Sequence, residues 1–172
     1  MKTKIFVMTH KKFDAPADEL YVPLHVGRAL GSDLGYLGDN TGENISELNP
    51  YYGELTGLYW LWKNCHDVDI IGICHYRRFF ADEELELLTK EMIEEILEEN
   101  DIMTSNAPTI EPNYKDYYGK AHNVDDLLMT GEVIKELYPE DYHAFCRMLE
   151  GTRTYYGNLC VMRKEQFDAY CE

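Results

Sequence analysis

The feature that most constrains the fold is a short apolar run, Asp-Ile-Ile-Gly-Ile-Cys, from Asp69 to Cys74. A run this short, rich in isoleucine and bounded by polar residues, indicates a strand buried on both faces, as in the centre of a parallel sheet. It leads directly into His75-Tyr76-Arg77-Arg78. Because ligands of open parallel sheets bind beyond the carboxyl ends of the strands, this cluster is the first candidate for a functional site.

Short apolar stretches alternate with helical periodicity along the rest of the chain. Further strands are predicted at Lys4 to Met8, Asp101 to Thr104 and Leu159 to Met162. Helices are predicted from Asn49 to about Lys63, Asp82 to Glu99, Val124 to Leu137, Pro139 to Leu149 and Lys164 to Glu172. Residues 11–49 are predicted to be loops with one short element around Tyr21 to Leu30, and residues 105–123 to be irregular. The alternation predicts an α/β fold with a mainly parallel sheet flanked by helices.

The length of 172 residues fits a single domain over 1–172. The last predicted helix has no cap or stop signal, so we expect the domain to be incomplete at its C-terminal end. No apolar run reaches the length of a signal-peptide core or a membrane span, and any membrane contact is predicted to be peripheral.

The formal net charge is −16, and eight Glu against one Lys in residues 83–99 contribute −7 of it. A solvated helix face explains this segment better than an acidic interaction surface. The charge excludes non-specific binding to nucleic acid or anionic membranes, both of which need a basic face. The five cysteines are odd in number and widely spaced, which predicts free thiols in a reducing compartment and no zinc site.

The arginine pair after the apolar run has two readings. If the strand continues, His75 and Arg77 face one side and Tyr76 and Arg78 the other. Adjacent arginines can grip a diphosphate or a carboxylate. They can equally form ion pairs with the acidic helix that follows, and the residues alone leave both readings open.

Other candidates lie at element ends. Thr9-His10 closes the first strand, where a nucleotide base or ribose would lie, although an ordinary exposed histidine is the simpler reading of His10. Glu54 lies in the first turn of its helix, where the helix dipole already favours a carboxylate. His122 and Asp125 form a candidate acid/base pair at a helix start, with Asp125 more simply a first-turn carboxylate.

Two segments resemble metal-binding motifs, and neither fits. Asp67-Val68-Asp69 has the spacing of an Asp-x-Asp motif, but it precedes its strand and so falls at the wrong end of the sheet. The polar loop from Gly38 to Asn44 does not match the acidic spacing of an EF-hand. Within that loop Asn44 is the candidate for contacting a ligand. There is no Walker A loop, G-x-G-x-x-G or G-x-S-x-G motif.

Several segments together resemble one bacterial family. They are Thr9-His10-Lys11, Asp39 with Asn44-Ile45-Ser46, Asn49-Pro50, Glu54-Leu55-Thr56, Tyr59-Trp60-x-Trp62-Lys63-Asn64, His75-Tyr76-Arg77-Arg78-Phe79, Asn158-Leu159-Cys160-Val161-Met162 and Glu165-x-Phe167-x-x-Tyr170-Cys171. The pattern is similar to that of domain of unknown function 4422, whose members are described as glycosyltransferases of capsular or exopolysaccharide biosynthesis.

The resemblance implies a GT-A-like, Rossmann-type fold and transfer of a hexosyl group, galactosyl or galactofuranosyl among the options. The donor would be a UDP-sugar and the acceptor a glycan or a lipid-linked glycan, in the cytoplasm and at the inner face of the membrane. The predicted donor-binding residues are Thr9, His10, Asn44, Glu54, His75, Tyr76, Arg77 and Arg78. The acceptor side would include Asn158, with His122 and Asp125 as catalytic residues.

By order along the chain, His75-Tyr76-Arg77 falls where related enzymes carry Asp-x-Asp. The cationic cluster would then offset the diphosphate charge, so no obligatory metal is expected, with Mn²⁺ or Mg²⁺ as the alternative. Two rival readings remain open: a non-catalytic nucleotide-sugar-binding module, and a protein-interaction module of a polysaccharide assembly system that uses the acidic helix.

Overall fold

The computed structural model describes all 172 residues. The strands are β1 (Thr3–Thr9), β2 (Tyr21–His25), β3 (Leu37–Gly38), β4 (Ile70–His75), β5 (Ile102–Thr104) and β6 (Cys160–Arg163). The helices are α1 (Asn49–Tyr52), α2 (Leu55–Asn64), α3 (Lys90–Glu99), α4 (Tyr114–Gly119), α5 (Val124–Leu137), α6 (Tyr142–Glu150) and α7 (Lys164–Cys171). The chain forms two compact units, a sheet unit of residues 1–105 with 158–172 and a helical unit of residues 106–157.

The six strands form one sheet in the order β3-β2-β1-β4-β6-β5. The pairs β3–β2, β2–β1 and β1–β4 are parallel, whereas β6 runs antiparallel to both of its neighbours. The predicted mainly parallel α/β fold with flanking helices is therefore confirmed.

Helices cover both faces of this sheet because the central strands are apolar on both sides. Phe6 and Met8 of β1 face a core with Leu61 of α2 and Phe167 of α7. Ile5 and Val7 point the other way, into a core with Ile93 and Leu97 of α3. The alternation along β1 thus provides two hydrophobic layers.

The prediction of an acidic helix from Asp82 to Glu99 is wrong for the first half of that segment. The helix begins after Thr89, whose hydroxyl accepts a bond from the Met92 amide at 3.4 Å. Before it, Asp82 accepts from the amides of Glu84 and Glu86 at 3.0 and 2.9 Å and holds a turn in which Leu85 has φ of 66°. An aspartate whose side chain bonds to nearby main-chain amides competes with helix formation, which explains the shorter helix.

Two further predictions need correction at the sheet. The helix predicted from Asn49 to Lys63 is interrupted at Gly53, whose φ of 54° suits a residue without Cβ. The segment therefore forms two helices, α1 and α2, and Glu54 immediately precedes α2. The strand through His75 ends there, so the predicted alternation of Tyr76, Arg77 and Arg78 across the sheet does not occur.

The helical unit differs from prediction at two places. The segment 105–123 is not irregular throughout, because Asn113 caps α4 by accepting from the Asp116 amide at 2.9 Å. The second long helix begins at Tyr142 and not at Pro139, since a turn bonds the Asp141 amide to the Tyr138 carbonyl. The predicted helix Val124–Leu137 is confirmed as α5.

None of the helices combines the length and apolar character needed to cross a bilayer. All five cysteines are free thiols, as predicted. Cys65 and Cys74 are buried, and the other three are half-buried.

A fully buried carboxylate, that of Asp39, connects the segments on one side of the sheet unit. It accepts bonds from the amides of Gly27 and Arg28 at 2.9 and 3.0 Å. It also accepts from the hydroxyls of Ser46 and Thr56. Asp39 itself is 0% exposed. Because these donors come from the end of β2, the 40–48 loop and α2, Asp39 fixes three segments relative to one another.

We expect Asp39→Ala to lower the free energy of unfolding by at least about 3 kcal/mol, because it leaves several buried donors without an acceptor. Urea unfolding followed by circular dichroism measures this. The control is Asp33→Ala, which removes a carboxylate 68% exposed and paired with Arg28 at 3.3 Å. That change should cost less than about 1 kcal/mol. Equal losses in the two variants would show that the Asp39 bonds do not stabilise the fold.

Candidate functional site

The candidate site lies at the carboxyl edge of the sheet, between β1 and β4. The chain leaves β1 for β2 on one side and returns to β4 on the other, so the strand order changes direction here, where open α/β sheets form a crevice. A main-chain hydrogen bond continues the pairing of β1 and β4 beyond the end of β4, because the Tyr76 amide donates to the Met8 carbonyl at 3.2 Å. The residues after both strands are thereby held side by side.

Aromatic rings cluster around Tyr76 at this edge. His10 meets the Tyr76 ring edge-on at 5.4 Å, and Phe13 lies 6.1 Å from it. Lys11 Nζ and Arg77 Cζ lie 5.2 and 5.1 Å from the ring centroid. Sequence reasoning named His10, Tyr76 and Arg77 for this site but missed Phe13, which follows β1 in the same loop as His10.

The two arginines lie on a tight turn and are exposed. His75 and Arg78 exchange two backbone bonds, His75 N to Arg78 O at 3.1 Å and Arg78 N to His75 O at 2.9 Å. Neither Arg77 nor Arg78 forms a salt bridge, whereas Lys90 of the acidic helix pairs with Glu94. Of the two readings from sequence, the ion pairs with the acidic helix are thus not formed.

Three polar residues that are far apart in sequence lie next to one another at this edge, namely Glu54, His75 and Asn158. Glu54 Oε1 lies 3.8 Å from His75 Nε2 and accepts a bond from Asn158 Nδ2 at 3.0 Å. Glu54 precedes α2, His75 ends β4, and Asn158 precedes β6. The three residues, predicted separately, form one polar group at the carboxyl edge of β4.

The surroundings of His75 disfavour a proton on its imidazole ring. Burial lowers its pKa from the ordinary value, and the positive charges of Arg78 and Arg77 lower it further, while Glu54 acts in the opposite direction. Its Nε2 is buried and has no hydrogen-bond partner. At 3.8 Å Glu54 is beyond hydrogen-bond distance, so His75 retains a free nitrogen.

The remaining predicted donor residues have bonds of their own. Thr9 is 1% exposed, and its hydroxyl donates to the Lys11 carbonyl, which orders the loop after β1. Asn44 is exposed, and its side chain bonds within its own loop, donating to Gly42 O at 3.0 Å and accepting from the Ser46 amide at 3.2 Å.

The predicted catalytic residues lie in the helical unit, and both are exposed. His122 stacks on Tyr118 with ring centroids 4.7 Å apart. Asp125 lies in the first turn of α5, two residues after the cap Asn123, whose side chain accepts from the Asp125 amide at 3.2 Å.

The side chains at the site provide few ligands for a metal ion. No three His, Cys, Asp or Glu side chains come together anywhere, and the Glu54 group offers one carboxylate, one imidazole and one amide. Asp67 and Asp69 lie before β4 and bond to Lys2, at the opposite edge of the sheet.

Because the folded state lowers the His75 pKa, His75 should make stability depend on pH. The unfolded chain binds this proton more readily, so the contribution is present above about pH 6.5 and is lost as the pH falls through the folded pKa. We expect His75→Gln to reduce the slope of unfolding free energy against pH below pH 6.5, by up to about 1.4 kcal/mol per pH unit. Urea unfolding across this range measures the slope.

The internal control is the range above about pH 7.5, where the two proteins should give parallel curves because His75 is neutral in both states. Parallel curves at all pH values would contradict the lowered pKa.

The fold of this chain is similar to that of a solved glycosyltransferase structure. The apo structure of the WbbM bifunctional glycosyltransferase is similar, with a TM-score of 0.84 and 30% sequence identity over 99% of this chain. This chain covers 35% of that one, about a third of its length. Among curated protein sequences none is significantly similar. The family described as domain of unknown function 4422 matches residues 4–172, and the chain therefore belongs to that family.

Proposed function

We propose that the chain is a glycosyltransferase, or the glycosyltransferase domain of a longer protein. It would transfer a hexosyl group, galactosyl or galactofuranosyl among the candidates, from a UDP-sugar to a glycan or lipid-linked acceptor. The observation that carries this proposal is the cluster at the carboxyl edge between β1 and β4, in a fold shared with a protein named as a bifunctional glycosyltransferase.

The unpaired arginines support binding of the donor diphosphate. Arg77 and Arg78 are exposed and form no salt bridge, so a ligand would not have to displace a carboxylate. A guanidinium offers several donors in a fixed fork that matches phosphate oxygens. Lys11 adds a third positive charge beside the Tyr76 ring.

The rings around Tyr76 would receive the base. Tyr76 is half-buried, and His10 and Phe13 border it. A flat uracil ring stacks on such surfaces, while the arginines next to Tyr76 in sequence face its phosphates.

His75 would act differently from the role that the sequence indicated. Burial and the neighbouring arginines disfavour a positive charge on His75, so Arg77 and Arg78 would offset most of the diphosphate charge. The free His75 Nε2 and the Glu54 carboxylate, which Asn158 holds in place, would instead bond to hydroxyls of the donor sugar.

In the transfer, the bond between the anomeric carbon and the diphosphate oxygen breaks, and its electron pair leaves with UDP. The acceptor hydroxyl oxygen forms the new bond, and its proton passes to a base, for which His122 and Asp125 are the candidates. Positive charge beside the leaving diphosphate lowers the barrier. We propose that the arginines supply it with no obligatory metal, and that Mn²⁺ or Mg²⁺ is the alternative to test.

The setting proposed for this activity is capsular or exopolysaccharide synthesis in the cytoplasm, with acceptors presented at the inner face of the membrane. A net charge of −16 disfavours nucleic acid as a partner. The rival proposal, a non-catalytic nucleotide-sugar-binding or protein-interaction module, is distinguished by turnover.

Calorimetric titration with UDP, with and without Mn²⁺, tests the donor site. Arg77→Ala should weaken UDP binding by at least about tenfold, because a charge-assisted bond to phosphate is lost. Arg147→Ala, which removes an exposed arginine of α6, should leave the affinity unchanged. Unchanged affinity in Arg77→Ala, with binding strictly dependent on Mn²⁺, would overturn the metal-independent site.

Turnover is tested by release of UDP from UDP-galactose in the presence of glycan acceptors. If Glu54 orients the donor sugar, Glu54→Gln should lower kcat/KM by at least about tenfold, while UDP alone binds as well as before. Binding of UDP without release under any acceptor would favour the non-catalytic module.

A further inference from the structure

The helical unit contains a cavity of about 460 Å³ whose walls are mainly tyrosine. We call it the tyrosine cavity, and define it by Tyr114, Tyr117, Tyr118, His122, Tyr155 and Tyr156. Its volume lies within the range of cavities that hold small ligands, about 300 to 1,000 Å³.

One wall is a row of rings at four-residue spacing. Tyr114 and Tyr118 have centroids 6.3 Å apart with planes tilted by 35°, and Tyr118 and His122 are 4.7 Å apart with a tilt of 33°. Residues four apart lie on the same helix face, so α4 and the turn after it present successive ring surfaces.

The other wall is the segment from Thr154 to Gly157. Thr154 is buried, and its amide donates to the Pro108 carbonyl at 3.3 Å. The Tyr114 amide donates to the Gly151 carbonyl at 2.8 Å, which joins the start of α4 to the chain just before that segment. Tyr117 and Tyr156 share a hydrogen bond between their hydroxyls. The two walls are therefore fixed to each other by main-chain and side-chain bonds.

The chemistry of the lining suits a neutral ligand. No carboxylate lines the cavity, and its one lysine, Lys120, donates to the Glu111 carbonyl at 3.0 Å with its ammonium 5.7 Å from the Tyr117 ring. Phenol hydroxyls both donate and accept, as sugar hydroxyls do. Ring faces complement the C–H faces of a pyranose.

We infer that the tyrosine cavity binds a pyranose ring of the acceptor glycan, with the rings of Tyr118 and Tyr155 against its C–H faces. That the bound sugar is the acceptor rests on the proposed function, whereas binding of a pyranose in the cavity does not depend on it. His122 lines the same cavity, so the acid/base candidate would stand beside the bound acceptor.

Saturation-transfer NMR on the full chain, with methyl galactopyranoside and methyl glucopyranoside as probes, tests the cavity. Tyr155→Ala should weaken binding of the better probe by about threefold to tenfold, since one stacking surface is lost. Tyr155→Phe keeps the ring and should retain most of the affinity. The matched control is Tyr138→Ala, because Tyr138 and Tyr155 are 57% and 56% exposed and Tyr138 lies outside the cavity.

Weaker binding in Tyr155→Ala but not in Tyr138→Ala would support the cavity as a sugar site. An unchanged signal in Tyr155→Ala, no signal from either pyranoside, or stronger saturation of uridine that Tyr155→Ala removes would overturn it. UDP titration of the same samples separates the two proposals. Pyranoside binding without UDP binding would support the cavity and overturn the donor site, and UDP binding without pyranoside binding would do the reverse.

Discussion

The geometry of the sheet unit depends on the buried carboxylate of Asp39. A buried charge is tolerated when several donors surround it, and here two amides and two hydroxyls do so. One of the hydroxyls belongs to Thr56, two residues after Glu54. The bond from Thr56 to Asp39 therefore helps to fix the start of α2, next to which Glu54 lies. The close approach of α2 to the sheet adds to this, because a Cβ at Gly57 would lie 2.7 Å from Met8 Sδ.

The sequence predicted most of the sheet unit because its strands and helices carry strong periodicities. The apolar run before His75 and the apolar face of α2 could be recognised from the neighbouring residues alone, and the structure contains both the strand and the helix. The helix predicted over the acidic segment was too long because glutamate favours helices, whereas the bonds that Asp82 accepts from the amides of Glu84 and Glu86 favour a turn. The meeting of Glu54, His75 and Asn158 depends on strand order and on the antiparallel direction of β6, which no local pattern encodes. The tyrosine cavity was equally hidden, since its two walls are about 40 residues apart in sequence.

Electrostatics at the candidate site differ from those of the chain as a whole. The protein carries a net charge of −16, yet Lys11, Arg77 and Arg78 gather within two loops that follow neighbouring strands. A small dianion can reach such a local positive region, whereas a long polyanion would also meet the acidic remainder. The lowered pKa of His75 is part of this arrangement, because its burial and the same arginines both disfavour a proton on the ring.

The antiparallel insertion of β6 has an evolutionary consequence. Thr104 at the end of β5 pairs with Cys160 at the start of β6, so the ends of the intervening segment lie one strand spacing apart, about 5 Å. The pairing of β5 with β6 constrains that segment only by requiring its two ends to lie close together. Segments of different length and composition can then replace one another at this position while the strand register is kept. In such a family the sheet and its carboxyl edge can stay constant while the inserted segment diversifies, so that a new specificity can arise by exchange of one contiguous piece of gene.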